Sequence, residues 1–162
     1  MVFIIKENFL DKEFFNDLKK ILFSDDIGWY FRNHLTTFNK DNYWFNHCFF
    51  NNFTVFSSIF DQFIKPILFK LNAKALVEAR ANLYVKNNVA YQSDWHVDRP
   101  FECTTAILYM NTCNGYTLIN KDKKLKINSE ENKILIFNSQ TEHAIVSQTD
   151  VNRRIIINFN YF

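Results

Sequence analysis

The stretch Ala75-Leu-Val-Glu-Ala-Arg-Ala-Asn-Leu-Tyr-Val85 decides the fold, because the period of the hydrophobic pattern changes there. Val77, Ala79, Ala81, Leu83 and Val85 fall on one side of an extended segment, and Glu78, Arg80, Asn82 and Tyr84 on the other. Side chains alternate across a strand with period two, so the segment is a strand with one apolar face. A second face that is polar yet carries Arg and Tyr either meets water or lines the polar mouth of a barrel, and of the two we favour the mouth.

Downstream, short strands are expected at about 94–98, 103–111, 116–120, 133–137, 143–148 and 153–161, separated by turns rich in Asn, Lys and Asp. Upstream the period is mostly helical. Val2 to Ile5 reads as a strand, and Asp11 as the N-cap of a helix to about Phe23, with Phe14, Phe15, Leu18, Ile21 and Leu22 at helical spacing. A second helix is expected from near Thr54 through Phe56, Ile59, Phe60, Phe63, Ile64, Ile67, Leu68 and Leu71, kinked or interrupted at Pro66. Residues 27–53 mix aromatics with Asn and two histidines, His34 and His47, and read as strands with a mobile loop between them. Helices first and strands afterwards give a mainly β chain with helices (α+β). Its core is a double-stranded β-helix of the jelly-roll or cupin-like kind, buttressed on one sheet by the N-terminal helices.

The 162 residues suit one domain with a full core: residues 1–72 as helical support and 73–162 as the β-helix. The composition is globular, 48% hydrophobic with 22% charged, and 19 Phe make the core aromatic-rich. A net charge of +2, with acids interspersed among the bases, gives no indication of a nucleic-acid partner and does not exclude one. Cys48, Cys103 and Cys113 form no CxxC pair and cannot all pair within one chain, which reads as reduced thiols in the cytoplasm. The apolar start Met1-Val-Phe-Ile-Ile5 is stopped by Lys6-Glu7, and no stretch approaches the length of a membrane span, so a soluble protein with no membrane partner is expected.

Set on this strand pattern, His96-Val97-Asp98 followed by a distant His143 is the pattern with most chemical content. Two imidazoles and one carboxylate on one face of an octahedron hold non-haem Fe(II) and leave three positions open. His96 and Asp98 lie on one side of a strand, so one short extended segment supplies two ligands and a distant strand the third.

Several further motifs follow in order: His96-Val-Asp-Arg-Pro100, Thr104-Thr-Ala-Ile-Leu-Tyr-Met-Asn111, Gly115, Ile134-Leu-Ile-Phe137, His143 and Arg154-Ile-Ile-Ile-Asn-Phe-Asn160. From Tyr84 to Phe162 the chain resembles the Fe(II)- and 2-oxoglutarate-dependent dioxygenases, in their prolyl-hydroxylase-like branch, including small virus-encoded members. It departs from many of them in having Gly115-Tyr-Thr where they carry a glycine pair. The resemblance implies an enzyme that binds Fe(II) through His96, Asp98 and His143 and consumes 2-oxoglutarate and O2, with ascorbate as an accessory reductant. It implies hydroxylation of a protein side chain or a small molecule with release of succinate and CO2. Oxidative demethylation of a nucleic-acid base, or metal binding without turnover, are the alternatives.

A guanidinium suits the far carboxylate of 2-oxoglutarate, since its planar fork matches a carboxylate and stays charged. Arg153 and Arg154 compete for that role. If Arg154 points into the barrel, Asn158 and Asn160 join it on a polar pocket wall while Ile155, Ile157 and Phe159 pack outward; we choose Arg154 on that parity. The resemblance adds Tyr109, whose face Ile107 shares, and Tyr84 as further 2-oxoglutarate contacts. Substrate choice is expected from a lid made by Trp29 to Phe50 and by the loop Lys86 to Ser93, the latter read as mobile.

Overall fold

The computed structural model describes residues 3–33 and 43–162. Its elements are β1 (Ile4–Lys6), α1 (Lys12–Leu22), β2 (Tyr30–Arg32), β3 (Trp44–Asn51), β4 (Thr54–Val55), a π-helical turn (Phe60–Ile64) leading into α2 (Lys65–Lys70), and β5 (Leu76–Val85). There follow β6 (Thr104–Tyr109), β7 (Tyr116–Ile119), β8 (Leu125–Asn128), β9 (Lys133–Asn138), β10 (His143–Val146) and β11 (Arg153–Tyr161). Among the described residues the larger sheet runs β1-β9-β6-β11-β5-β3-β2, with β4 on β3, and the smaller runs β10-β7-β8. Every pairing is antiparallel. Ile107, Tyr109, Leu135 and Ile156 of the larger sheet share a buried cluster with Ile119, Ile127 and Ile145 of the smaller, which closes the two sheets into a double-stranded β-helix.

Strand parity gives the larger sheet two chemically different faces. Ala79, Ala81 and Leu83 of β5 and Ile155, Ile157 and Phe159 of β11 pack with Phe15, Leu18 and Leu22 of α1 and with Phe63, Ile64 and Ile67. The intervening residues of the same strands, from Glu78 to Tyr84 and from Arg154 to Asn160, turn towards the smaller sheet. Asp11 caps α1 by accepting from the amides of Glu13 (3.0 Å) and Phe14 (3.5 Å), so that helix begins where its cap dictates.

The segment after Thr54 is not one helix. Thr54 and Val55 pair with Asn51 and Phe50 as β4, the Phe56 amide donates to Phe49 O at 2.9 Å, and regular α-helix starts only at Lys65. Pro66 sits in the first turn of α2, where its missing N–H is no loss, just after the π-helical turn ends at Ile64. Phe63 and Ile64 in the π-helical turn and Ile67 in α2 are buried as the apolar stripe requires.

Residues before 73 also supply strands, since β3 pairs with β5 and β1 with β9. The strand expected at 94–98 is reduced to a bridge between His96 and His143. The end of the loop expected to be mobile is tied to the strand beyond it: Gln92 bridges Val146, the Ser93 amide donates to Ile145 O at 2.8 Å, and the Tyr91 amide to Ser147 Oγ at 3.0 Å. β8 escapes the apolar pattern because only Ile127 of its residues is buried. Gly115 needs no unusual backbone angle; a Cβ there would meet Gln148 N at 3.1 Å and Val146 O at 3.2 Å.

The turn into β9 fastens the N-terminal segment to the barrel. Asn132 adopts φ 58°, a left-handed conformation that Asn tolerates, and its side chain accepts from the Leu10 amide (2.8 Å) and donates to Leu10 O (2.9 Å). Its carbonyl also accepts from the Phe9 amide at 2.8 Å. Asn132→Ala should cost about 2–4 kcal/mol, from two lost buried hydrogen bonds and a strained φ, read as a lower denaturant midpoint at unchanged m-value.

Candidate metal centre

Backbone pairing brings two imidazoles side by side. The His96 amide donates to His143 O at 3.0 Å and the His143 amide to His96 O at 2.9 Å, which sets the ring centroids 4.3 Å apart. Each Nδ1 lies against a backbone carbonyl, His96 against Asp94 O (3.1 Å) and His143 against Thr141 O (3.0 Å). Donation to those oxygens assigns the proton to Nδ1 and leaves both Nε2 lone pairs available as ligands. Asp98 is fixed from behind: its Oδ2 accepts from Thr105 Oγ1 (3.0 Å), Asn158 Nδ2 (3.1 Å) and Asn160 Nδ2 (3.2 Å). Its Oδ1 faces the histidines, 3.6 Å from His143 Nε2.

One ligand atom from each of the three residues lies within 4.8 Å of the other two. Two nitrogens and one oxygen, oriented by outer hydrogen bonds and grouped on one side, are a donor set that fits a divalent first-row metal with open positions. The protonation states agree with that use. Burial acts to raise the Asp98 pKa, but His143, Arg80, the Asn158 hydrogen bond and His96 outweigh it and hold the pKa at about 2. Burial, with the neighbouring His143, lowers that of His96 below 6.5. The carboxylate is therefore charged and the His96 ring neutral at pH 7, the forms that bind metal.

Behind Asp98 lies a layer that the sequence pattern does not reveal. Asn160 Oδ1 accepts from Arg99 Nε at 3.1 Å, Arg99 pairs with Glu78, and Glu78 also pairs with Arg80 at 3.3 Å. The Arg99 contact sets which way the Asn160 amide points and so which of its atoms meets Asp98. Asn158 and Asn160 share the strand face of Arg154, but their amides are spent on the carboxylate ligand and not at the arginine. The only signal for Glu78 and Arg80 in the sequence was their place on the polar side of β5.

Arg154 is 0% exposed. Its hydrogen bonds go to neutral oxygens at the long distances of 3.3–3.4 Å: Ser129 Oγ, Tyr116 O, Val146 O and Thr117 Oγ1. No ion pair among the described residues includes it. Its guanidinium lies 5.8 Å from the Tyr84 ring centroid and 5.7 Å from that of Tyr109. Burial raises the pKa of both phenols, so they remain donors, and Tyr109 Oη donates to Thr117 Oγ1 at 2.9 Å. Arg153 points the other way, donating to Phe23 O at 2.9 Å and covering the Phe23 ring at the end of α1.

A cavity of about 100 Å³ adjoins the three ligands and is walled by Ile107, Tyr84, Ile145, Ile156 and Asn158, with Trp44, Arg80 and Asn82 on a further side. The structure thus gathers His96, Asp98, His143, Tyr84, Ile107 and Asn158 around one space, with Arg154 and Tyr109 beyond Tyr84. His47 is engaged elsewhere, between Gly28 O (2.8 Å) and Ser57 Oγ (2.7 Å), and His34 lies outside the described residues.

No family model matches the chain, and comparison with curated proteins finds no match. Solved structures do match. A prolyl hydroxylase from Trichoplax adhaerens, in complex with a hypoxia inducible factor oxygen degradation domain peptide fragment, is 17% identical with a TM-score of 0.68, covering 99% of this chain and 83% of its own. A 2OG-Fe(II) oxygenase family oxidoreductase from Burkholderia pseudomallei is 8% identical with a TM-score of 0.74, covering 98% and 84%. HygX from Streptomyces hygroscopicus, with nickel and 2-oxoglutarate bound, is 11% identical with a TM-score of 0.61, covering 98% and 82%. The chain therefore has the fold of these oxygenases over almost its whole length.

His143→Ala should abolish stoichiometric Mn(II) binding, measured by calorimetry, with little change in thermal midpoint. Asn160→Ala, which frees Asp98 from one donor, should weaken Mn(II) about 10–100-fold, the usual scale for an outer-shell partner of a metal ligand.

Proposed function

We propose that the protein is an Fe(II)- and 2-oxoglutarate-dependent dioxygenase that hydroxylates a protein side chain or a small molecule. One observation carries this reading. Three metal-ligating atoms converge on one cavity, and behind Tyr84 of its wall, 5.8 Å from that ring's centroid, a fully buried arginine has no carboxylate partner among the described residues. A buried guanidinium with long neutral contacts lacks the counter-charge that offsets its desolvation, and a dicarboxylate reaching from the metal supplies it.

His96 Nε2, Asp98 Oδ1 and His143 Nε2 would hold the iron. Together with 2-oxoglutarate and O2, the bound metal supplies an oxidant for a substrate C–H bond, the keto acid leaving as succinate and CO2. Arg154 binds the far carboxylate through its planar fork, and Tyr84 and Tyr109 flank it as neutral donors. Ile107, Ile145 and Ile156 exclude water from the metal face, which strengthens each of these contacts. Asn158 and Asn160 orient Asp98, so that its second oxygen stays turned to the metal.

Two further points support the finer parts of this reading. The peptide bound in the structure of the Trichoplax adhaerens prolyl hydroxylase supports a protein substrate here as well. The three unpaired cysteines agree with a reducing compartment, and no helix among the described residues is long and apolar enough to cross a membrane. We assign the protein to the cytoplasm on the cysteines.

With Fe(II), 2-oxoglutarate and O2 the protein should form succinate, and His143→Ala should not. Arg154→Ala should weaken 2-oxoglutarate binding to the Mn(II)-loaded protein by about 2–4 kcal/mol, and Arg153→Ala by far less. Tyr109→Phe should cost about 1 kcal/mol, for one hydrogen bond. Equal losses in the two arginine variants would assign the cosubstrate elsewhere.

A further inference from the structure

One wall of the metal-facing cavity is built with polar atoms that the protein leaves unmatched. Arg80 and Asn82 are two residues apart on β5 and therefore on the same face, and both line the cavity together with Trp44. Asn82 is 4% exposed, yet its Oδ1 has no hydrogen-bond partner among the described residues. Arg80 Nε is likewise buried without one, although Arg80 Nη1 is paired with Glu78. Buried polar atoms in a folded protein are nearly always matched, and the exceptions concentrate where a ligand does the matching.

The two open positions differ in kind: Arg80 Nε offers a hydrogen, and Asn82 Oδ1 offers a lone pair. Resting on the oxygenase reading above, we propose that this wall selects the substrate by gripping one of its amide units, with the carbonyl accepting from Arg80 Nε and the N–H donating to Asn82 Oδ1. A carboxylate does not suit the pair, because it brings only acceptors and would set an oxygen against Asn82 Oδ1. Arg80 already has a carboxylate partner in Glu78, which it shares with Arg99. Trp44 presents an aromatic plane beside both groups; the Arg80 guanidinium lies 5.6 Å from its ring centroid and the Tyr84 ring stacks on it at 6.3 Å. Arg80 and Asn82 are in this account specificity-determining residues that hold a substrate amide beside the metal, and the C–H bond that reacts belongs to the group next to that amide.

The test uses the protein loaded with Mn(II) and 2-oxoglutarate, with the bound Mn(II) shortening the proton relaxation times of any small molecule held near it. The probes are N-acetylalanine N-methylamide, the matching ester in which each N–H is replaced by oxygen, and O-acetyllactate, a carboxylate that carries no amide. The amide should be relaxed at least threefold more than either of the others. That excess should disappear in Asn82→Leu and in Arg80→Met, and in Asn82→Leu 2-oxoglutarate affinity should stay within twofold of the parent. Equal relaxation of amide and ester by a protein that binds Mn(II) and 2-oxoglutarate overturns this proposal and leaves the oxygenase reading standing. So does an Asn82→Leu variant whose main loss is in 2-oxoglutarate affinity, since that wall would then serve the cosubstrate. Failure to bind Mn(II) or 2-oxoglutarate at all overturns both.

Discussion

The alternation of side chains along β11 is the constraint on which the rest of the molecule depends. This strand lies between β5 and β6 in the larger sheet, so both of its edges are paired, and its two faces meet the helical elements and the smaller sheet. Ile155, Ile157 and Phe159 can be buried only against the helices, and that choice commits Arg154, Asn158 and Asn160 to the interior between the sheets. A slip of one residue would put three large apolar groups into the polar pocket and an arginine and two asparagines under α1. The hydrophobic contribution of that helical face, about 25 cal/mol for each Å² of apolar surface buried, is what holds a costly buried guanidinium in place. Stability and the polar site are therefore two consequences of one register.

The metal centre has a similar dependence on backbone pairing. The reciprocal amide bonds between His96 and His143 place the rings before any metal arrives, and Asp98 is held by three donors from β6 and β11. Ligands held in this way lose little side-chain entropy on binding. The Arg99–Glu78–Arg80 chain extends this rigidity from Asp98 to the wall carrying Asn82, so that metal ligation and the cavity's far side share one hydrogen-bonded frame.

Much of this was legible in the residues and some was not, for definable reasons. The period-two pattern of β5 and β11 is strong because their two faces differ so sharply in chemistry, and it carried the sheet, the direction of Arg154 and the outward turn of Arg153. The spacing of His96 and Asp98 needed only an extended backbone to bring them to one side. Thr105 gave no signal, since a threonine inside a β-strand is ordinary until its hydroxyl is seen on Asp98. Arg99 and Glu78 gave no sign of their pairing, because it spans distant parts of the chain. The region after Thr54 misled because an apolar stripe records which residues are buried, not the backbone that delivers them. Asn158 and Asn160 were placed on the correct face, but a face does not say how far along it an amide reaches.

The central claim is that one enclosed space links a three-residue metal site to Arg154 through a dicarboxylate. The most direct measurement is a crystal structure grown with Mn(II) and 2-oxoglutarate and recorded at a wavelength where manganese scatters anomalously. The account predicts a single anomalous peak within bonding distance of His96 Nε2, Asp98 Oδ1 and His143 Nε2, and density for the diacid running from it to the Arg154 guanidinium. A peak elsewhere, or a diacid whose far carboxylate rests on Arg80 or Arg153, would contradict it.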